Sequence, residues 1–181
     1  IVHMGACSAT TEKDADFLMK NNYEYTKKLW DYASKKEINF IYASSAATYG
    51  DGEVGYDDNT DKLTELLPLN KYGYSKHIFD MWTLKQKDTP RQYVGLKFFN
   101  VYGPQEYHKG RMASMVYHSY HQALQNNGIK LFKSYKAGYE DGYQLRDFVY
   151  IKDVLKVIQF FIENKGKSGI YNLGTGEARS F

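Results

Sequence analysis

The chain has 181 residues, enough for one domain with its own core, and 43% of them are apolar, as in ordinary globular proteins. Its net charge of +3, from 24 basic and 21 acidic residues, gives no reason to expect nucleic acid or a membrane surface as a partner. A single cysteine, Cys7, excludes an internal disulfide and a cysteine-rich metal site, and no apolar run approaches the ~20 residues of a membrane span.

The first half of the chain alternates strand and helix patterns. Residues 1–7 are a short apolar run ending in small residues, which is typical of a buried parallel strand. Residues 14–36 predict a helix whose apolar face holds Phe17, Leu18, Tyr25, Leu29, Tyr32 and Ala33. A strand over 38–42 and a polar loop over 50–68 come next. The helix that follows, from Tyr72 to about Lys87, has as its apolar side Ile78, Phe79, Met81 and Trp82.

The second half continues the alternation. The predicted elements are, in order, a strand over 93–99, a turn over 100–104, a helix over 112–125, a strand over 130–132, a loop over 133–144, a strand over 148–150, a helix over 151–164 and a strand over 169–173. Strands that alternate with helices predict an α/β fold with a mainly parallel sheet. Ligands of such sheets bind at the carboxyl ends of the strands.

Both termini have the character of strand interiors or strand ends. Residues 1–6 show neither a start methionine nor the charged-then-apolar pattern of a signal peptide, and residues 173–176 follow directly on a strand pattern. We therefore expect a fragment that lacks both ends of a larger protein.

A serine at a strand end and a Tyr-x-x-x-Lys pair at a helix start are the clearest candidates for proton-transfer chemistry. Tyr72 and Lys76 lie one helical turn apart and share a face, so the ammonium is expected to favour the phenolate and lower the pKa of Tyr72. Ser45 is expected to hydrogen-bond and orient a substrate oxygen. A surface tyrosine and lysine without a role is the alternative reading. The same spacing also occurs at Tyr23/Lys27, Tyr32/Lys36 and Tyr93/Lys97, none of which opens a helix after a serine-ended strand.

Four ordered motifs carry a resemblance to a known family: the serine-rich stretch 43–50, the Tyr72–Lys76 pair, Phe-Asn-Val-Tyr-Gly-Pro at 99–104, and Arg-Asp-Phe-Val-Tyr at 146–150 with Asp-Val at 153–154. The chain resembles the extended short-chain dehydrogenase/reductase family of nucleotide-sugar epimerases and dehydratases over essentially its whole length. The resemblance implies a Rossmann-type, doubly wound, mainly parallel sheet with part of a small C-terminal substrate lobe. It implies one partial NAD(P)-binding domain, with residues 1–110 and 146–181 as core and 111–145 as substrate-side insertions.

A narrower likeness rests on the stretches 5–12, 43–50 and 108–114, which are similar to those of the ADP-glyceromanno-heptose 6-epimerase subfamily. That resemblance implies a cytoplasmic isomerase that inverts C6″ of ADP-D-glycero-D-manno-heptose by transient oxidation and reduction, for the lipopolysaccharide inner core. It implies bound NADP, with NAD possible, and an ADP-sugar substrate. It also implies a homo-oligomer in the full-length form, and neither a nucleic-acid nor a membrane partner.

The resemblance also implies residue roles. Tyr72 would be a catalytic acid/base, Lys109 the second acid/base, Ser45 a contact of the reacting region, and Lys76 the holder of the nicotinamide ribose. The cofactor would be lined by Met4, Gly5, Ala6, Cys7, Ser8, Asn21, Lys76, Val101 and Lys109. The substrate would be lined by Ser45, Asn100, Arg111, His118, Phe132, Lys133, Ser134, Tyr135 and Arg146.

Two alternatives remain beside this interpretation. One is a UDP-hexose 4-epimerase or another nucleotide-sugar epimerase or dehydratase; a dehydratase should carry an acidic pair beside the serine, where this chain has Ala46-Ala47-Thr48. The other is a non-enzymatic NAD(P)-binding scaffold, which should have lost Tyr72 or Lys76. The five histidines lack the close spacing of a metal site, so no metal is expected.

Overall fold

The computed structural model describes residues 1–135, 137–138 and 140–181. Its elements are, in order, β1 (Val2–His3), α1 (Ala15–Leu18), a π-helical segment (Met19–Glu24), α2 (Tyr25–Lys35), β2 (Phe40–Ser45), α3 (Lys71–Thr83), β3 (Tyr93–Phe98), β4 (Asn100–Tyr102), α4 (Met115–Asn126), β5 (Arg146–Tyr150), α5 (Ile151–Glu163), β6 (Gly169–Leu173) and β7 (Ala178–Arg179). Short 3-10 helices cover Ala46–Tyr49, Thr60–Glu65 and Tyr107–Met112. In the described part of the chain, no helix has both the length and the apolar character that crossing a bilayer requires.

The first of two compact units consists of Ile1–Phe98 and Ile158–Asn172. It holds a four-stranded sheet in the order β1-β2-β3-β6, in which β1 pairs parallel with β2 and β2 pairs parallel with β3. The predicted first strand is shorter than expected, because only Val2 and His3 pair with β2. The register places Ser45 opposite Phe98, so the serine lies at the carboxyl edge of the sheet, as predicted.

The core of the first unit is aromatic. Trp30, Phe40 and Phe79 are buried together, with the Trp30 ring edge-on to both of the others at centroid distances of 6.0 and 6.2 Å. Trp30 is not on the predicted apolar face of the first helix, and that face is wrong in part, since Phe17, Tyr25 and Tyr32 are about half exposed. The π-helical segment contains about one more residue per turn than an α-helix. It therefore rotates α2, so that α2 buries a different face from the one that an uninterrupted helix would bury.

The second unit consists of Phe99–Val157 and Leu173–Phe181 and holds a three-stranded sheet in the order β4-β5-β7. Strands β4 and β5 run parallel, and β7 is antiparallel to β5. The predicted turn at 100–104 is wrong at its start, because Asn100–Tyr102 pairs with β5 as a strand. The predicted strand at 130–132 is also wrong: these residues are irregular, and the backbone N–H of Lys130 donates to the Gln122 side chain. The predicted elements at 93–99, 148–150, 151–164 and 169–173 are confirmed as β3, β5, α5 and β6.

A close approach of two backbones joins the start of α3 to the turn after β2. A Cβ on Gly73 would lie 2.7 Å from the Ala47 carbonyl oxygen and 3.0 Å from the Cβ of Pro68. Asn70 caps the helix, since its side-chain oxygen accepts a hydrogen bond of 2.7 Å from the Gly73 N–H. The absence of a side chain at Gly73 therefore allows the first turn of α3 to lie against the end of β2.

We predict that Gly73→Ala lowers the free energy of unfolding by about 1–3 kcal/mol, because the new methyl group meets backbone atoms that must move. The control is Gly128→Ala, whose Cβ would meet its nearest atom, Asn126 O, at 3.8 Å and whose φ is not positive. That control should be neutral or stabilising by up to about 1 kcal/mol, since it only restricts the unfolded chain. Urea unfolding of both variants tests this, and equal stabilities would contradict the close approach.

Candidate active site

Ser45 and Tyr72 face each other where β2 ends and α3 begins. The Ser45 hydroxyl accepts a hydrogen bond of 3.1 Å from the Ala47 N–H, and the Ser45 side chain is close enough to the Tyr72 phenol to lower its pKa by hydrogen bonding. Tyr72 is only 8% exposed. Burial raises the pKa of Tyr72, and the Ser45 hydrogen bond offsets only part of that rise. Tyr72 is therefore protonated at neutral pH and suited to donating a proton.

Lys76 lies one turn further along the same face of α3, and its ammonium donates a hydrogen bond of 2.9 Å to the Ala43 carbonyl oxygen. Burial lowers the pKa of Lys76 to about 8, against smaller raising effects of Asp80 and Cys7. The expectation that Lys76 lowers the pKa of Tyr72 is wrong in this structure. The ammonium is directed at β2, and burial dominates the ionisation of both side chains.

Asn22 connects the loop after β1 to α3, and sequence reasoning missed it. It is 1% exposed; its side-chain oxygen accepts from Cys7 N–H at 2.8 Å, and its amide donates to Cys7 O at 3.1 Å and Ser75 Oγ at 2.9 Å. The predicted cofactor residue Asn21 is half-buried and donates to the Phe17 carbonyl within its own helix. The two adjacent asparagines inside a helical pattern could have indicated a special role for this position, since asparagine is an unfavourable helix residue.

The loop that Asn22 holds contains the predicted cofactor tip. Met4, Gly5 and Ser8 are exposed there, while Ala6 and Cys7 are half-buried. Both backbone polar groups of Cys7 are fixed by one amide side chain, so the tip has a defined path beside α3. The structure thus brings Ser45, Tyr72, Lys76 and this tip together in the first unit.

His3, at the end of β1, stays neutral beside Lys76. Thr26 uses its hydroxyl hydrogen to donate to the Asn22 carbonyl at 2.8 Å, so its oxygen must accept from His3 Nε2 at 3.0 Å. That arrangement fixes the tautomer with hydrogen on Nε2. Burial, and then the charge of Lys76, lower the pKa of His3.

Lys109 lies in the second unit, in the 3-10 helix Tyr107–Met112, with its ammonium 3.6 Å from the carboxylate of Glu106. Glu106 is 3% exposed and accepts hydrogen bonds from Gly103 N–H at 3.0 Å and from Ser114 N–H and Oγ, both at 2.7 Å. Burial raises the pKa of Glu106, but these hydrogen bonds outweigh burial and the net shift is downward. Glu106, which sequence reasoning missed, therefore binds the chain on both sides of the segment that carries Lys109, at Gly103 before it and at Ser114 after it.

The remaining predicted substrate and cofactor residues also lie in the second unit, and their roles stay predictions. Asn100 donates to the Asp147 carbonyl oxygen at 3.2 Å, and the Arg146 guanidinium lies 5.9 Å above the Phe181 ring. Phe132 packs against the same ring at 5.2 Å. Arg111, Lys133 and Tyr135 are exposed, and Val101, His118 and Ser134 are half-buried. Across the described residues, no group of histidine, cysteine and acidic side chains is arranged to hold a metal ion.

Known proteins resemble the chain along its whole length. Residues 1–174 match the family described as the NAD dependent epimerase/dehydratase family. The ADP-L-glycero-D-manno-heptose-6-epimerase of Fusobacterium nucleatum subsp. nucleatum is 66% identical over 183 residues, an alignment that covers 100% of this chain and 55% of that protein. The chain spans about half the length of the curated relatives it matches.

Two solved epimerase structures superpose on nearly the whole of this chain. The crystal structure of Helicobacter pylori ADP-L-glycero-D-manno-heptose-6-epimerase superposes with a TM-score of 0.84 at 38% identity, covering 99% of this chain and 54% of that one. Thermotoga maritima UDP-glucose 4-epimerase with UDP-glucose superposes with a TM-score of 0.77 at 25% identity, covering 99% and 56%. The predicted Rossmann-type, mainly parallel α/β fold is confirmed.

The buried ammonium of Lys76 predicts a specific pH dependence of stability. Its pKa of about 8 in the folded protein lies below the ordinary 10.5, so between these values the unfolded chain binds a proton that the folded chain does not. The free energy of unfolding therefore rises with pH across this interval, and the contribution is lost as pH falls through 8. Relative to Lys76→Met, the parent should gain about 1 kcal/mol between about pH 8.5 and 9.5.

Urea unfolding at the two pH values measures that difference. The matched control removes an exposed lysine of the neighbouring π-helical segment, as Lys20→Met. The prediction is wrong if the difference between the parent and Lys76→Met does not change with pH, or if Lys20→Met changes equally.

Proposed function

We propose, since the chain belongs to the NAD dependent epimerase/dehydratase family, that the protein carrying it inverts C6″ of ADP-D-glycero-D-manno-heptose to give ADP-L-glycero-D-manno-heptose. The observation that carries this proposal is the grouping of Ser45, Tyr72 and Lys76 at the carboxyl edge of the sheet. The choice of this substrate is supported by the 66% identity of the chain to a relative named for that reaction. The product would serve the lipopolysaccharide inner core.

The first unit offers groups that fit a nicotinamide dinucleotide, for which we propose NADP, with NAD as the second choice. Among the described residues, the Ala43 carbonyl is the acceptor for Lys76, so the ammonium keeps N–H groups for a ribose hydroxyl. The tip at residues 4–8 has small side chains and a backbone fixed at Cys7, which suits close approach of a ligand. When bound, the dinucleotide supplies a hydride acceptor that becomes the hydride donor.

Proton transfer falls to Tyr72 and Lys109. Oxidation of the C6″ alcohol to a carbonyl releases a hydride and a proton, and reduction returns both, so inversion requires that hydride reach the opposite face of the carbonyl. Two protonic groups, one for each orientation of the sugar, allow this. The raised pKa of Tyr72 suits it to protonating the oxygen during reduction, while Ser45 orients that oxygen by hydrogen bonding.

Residues of the second unit would bind the ADP-sugar. The exposed Arg146 guanidinium matches the oxygens of a diphosphate as a planar donor. Asn100, Arg111, His118 and residues 132–135 are proposed as further substrate contacts, and Val101 and Lys109 as cofactor contacts. A cytoplasmic location and a homo-oligomeric state belong to the same proposal.

The second candidate is a UDP-hexose 4-epimerase, which the likeness to the Thermotoga enzyme favours. A dehydratase is less well supported, because residues 46–48, which follow Ser45 in its 3-10 turn, include no acid. A scaffold without activity should have lost Tyr72 or Lys76, and both are present in hydrogen-bonded positions.

The substrate is tested with the gene product that contains this chain. Incubated with ADP-D-glycero-D-manno-heptose, it should convert the sugar to the epimer at C6″, which NMR follows directly. UDP-glucose under the same conditions should remain unchanged. Turnover of UDP-glucose without turnover of the heptose would replace the leading proposal by the second candidate.

The acid/base roles are tested by Tyr72→Phe and Lys109→Ala, each of which should lower kcat by about 10²–10⁴-fold, as loss of a general acid or base does. The matched controls are Tyr74→Phe, a half-exposed tyrosine of the same helix, and Lys130→Ala, an exposed lysine of the second unit. Both controls should retain parental turnover. An unchanged rate for Lys109→Ala would remove that lysine from the mechanism.

A further inference from the structure

An ion pair without any exposure lies under the candidate active site in the first unit. Asp80 and Lys97 are both 0% exposed, and their Oδ2 and Nζ atoms are 2.8 Å apart. Tyr42 OH donates to Asp80 Oδ1 at 3.0 Å, and Ser44 Oγ donates to Oδ2 at 2.6 Å. The carboxylate on α3 is thus bound by two residues of β2 and one of β3.

The same network continues to the backbone of Ser45. Lys97 Nζ also donates to Thr48 Oγ1 at 2.6 Å, and Thr48 Oγ1 donates to the Ser45 carbonyl oxygen at 2.8 Å. Because the Thr48 hydroxyl gives its hydrogen to Ser45, it accepts from Lys97, and each member of the chain has one fixed role. The turn after β2 is thereby anchored to a charge in the interior.

The network also determines where the reactive face of α3 lies. Tyr72, Lys76 and Asp80 follow at intervals of four residues, so they share one face of the helix. Asp80 attaches that face to the strand end that carries Ser45, and Gly73 allows the first turn to approach the same strand end.

We propose that Asp80, through its pairing with Lys97, is a positioning residue of the active site that fixes Ser45 and the Tyr72–Lys76 face of α3 in one register. This inference rests on the proposed epimerase function for its catalytic consequence. A displacement of a reacting group by about 1 Å costs on the order of 10²-fold in rate, so a device that fixes this register has a measurable effect.

The polar character of the network supports a positioning role. Buried ion pairs commonly contribute little net stability, because the desolvation of two charges offsets their attraction. Apolar side chains of similar size would fill the same space, but they would leave the hydroxyls of Ser44 and Thr48 without these partners. Directional hydrogen bonds to both sides of Ser45 are what the pair supplies and an apolar core does not.

The carboxylate of Asp80 also acts on Lys76 through its charge. Among the described residues, the charges of Asp80 from its own helix and of Cys7 from the loop after β1 act on Lys76, and Lys76 in turn acts on His3 from β1. Burial lowers the pKa of Lys76 and Asp80 is the larger of the two opposing influences, so loss of the Asp80 charge should lower that pKa further. His77, which also senses Asp80 and Lys97, has a lowered pKa because of burial and titrates outside the alkaline range.

The test compares Asp80→Asn, the double variant Asp80→Asn/Lys97→Met and the control Phe79→Leu in the gene product that contains this chain. The double variant removes both charges, so no buried charge is left without its partner. Phe79→Leu perturbs the aromatic core one residue away on the same helix. Both Asp80 variants should lower kcat by about 10- to 100-fold with KM changed less than about twofold, and Phe79→Leu should lower stability without that split.

A second measurement does not depend on turnover. The pH titration of the Lys76 ¹³Cε resonance, assigned by its absence in Lys76→Met, should move to lower pH in Asp80→Asn and stay in place in Phe79→Leu. Lys97→Arg, which keeps the positive charge and its hydrogen-bond donors, should lose less of the parental rate than the double variant does.

The outcomes separate the two proposals. If the parent does not epimerise a nucleotide sugar, the proposed function fails, and the Lys76 titration still tests whether Asp80 acts on Lys76. If the parent epimerises the sugar and the double variant keeps its kcat, the positioning role is overturned. It is equally overturned if Phe79→Leu reproduces the loss in kcat and the titration shift, because the effect would then be general destabilisation.

Discussion

The buried face of α3 is polar, and the geometry of the first unit depends on that constraint. Tyr72, Lys76, Asp80 and Thr83 lie on it, where a helix usually buries apolar side chains. Polar groups without partners in the interior cost free energy, so each of them requires a bond to a neighbouring element or to the helix itself. Lys76 binds Ala43, and Asp80 binds Ser44 and Lys97. A shift of the helix by one turn would break all of these bonds together, so they fix its register along with the close backbone approach at Gly73.

The same burial has opposite effects on the two groups proposed to work together. It raises the pKa of Tyr72 and lowers the pKa of Lys76 to about 8, so both side chains are pushed toward their neutral forms. Lys76 is not among the groups that shift the pKa of Tyr72, so burial is the main influence on the ionisation of each side chain. The charge of Asp80 opposes the effect of burial on Lys76, so the ammonium form is retained more readily than burial alone would allow.

The sequence pattern predicted correctly those elements that depend on neighbouring residues in the chain. The alternation of strands and helices, the clear helix predicted over 151–164 and the serine at the strand end followed from periodicity and spacing, because those features depend on residues near one another in the chain. Several of the failures have a common physical cause, because the structure there depends on residues that are distant in the chain. β4 exists because β5 pairs with it, and residues 130–132 remain irregular despite their apolar character. Asn22 turns inward because a π-helical turn and the backbone of Cys7 require it, and hydropathy gives no sign of either.

Hydrogen bonds from a few polar residues of α3 connect this helix to its neighbouring elements and also hold the candidate active-site residues in place. Ser75 accepts a hydrogen bond from the Asn22 amide, which also holds the loop after β1. Lys76 bonds to β2, and Asp80 bonds to β2 and β3. These bonds join α3 to the π-helical segment, to β2 and to β3, and all of them involve polar side chains of the helix. The apolar packing of this unit comes from the aromatic cluster around Trp30, which includes Phe79 of the same helix and Tyr42, whose hydroxyl binds Asp80. The polar network and the aromatic cluster therefore meet on the buried side of α3, so the packing that stabilises the unit also holds Asp80 in place.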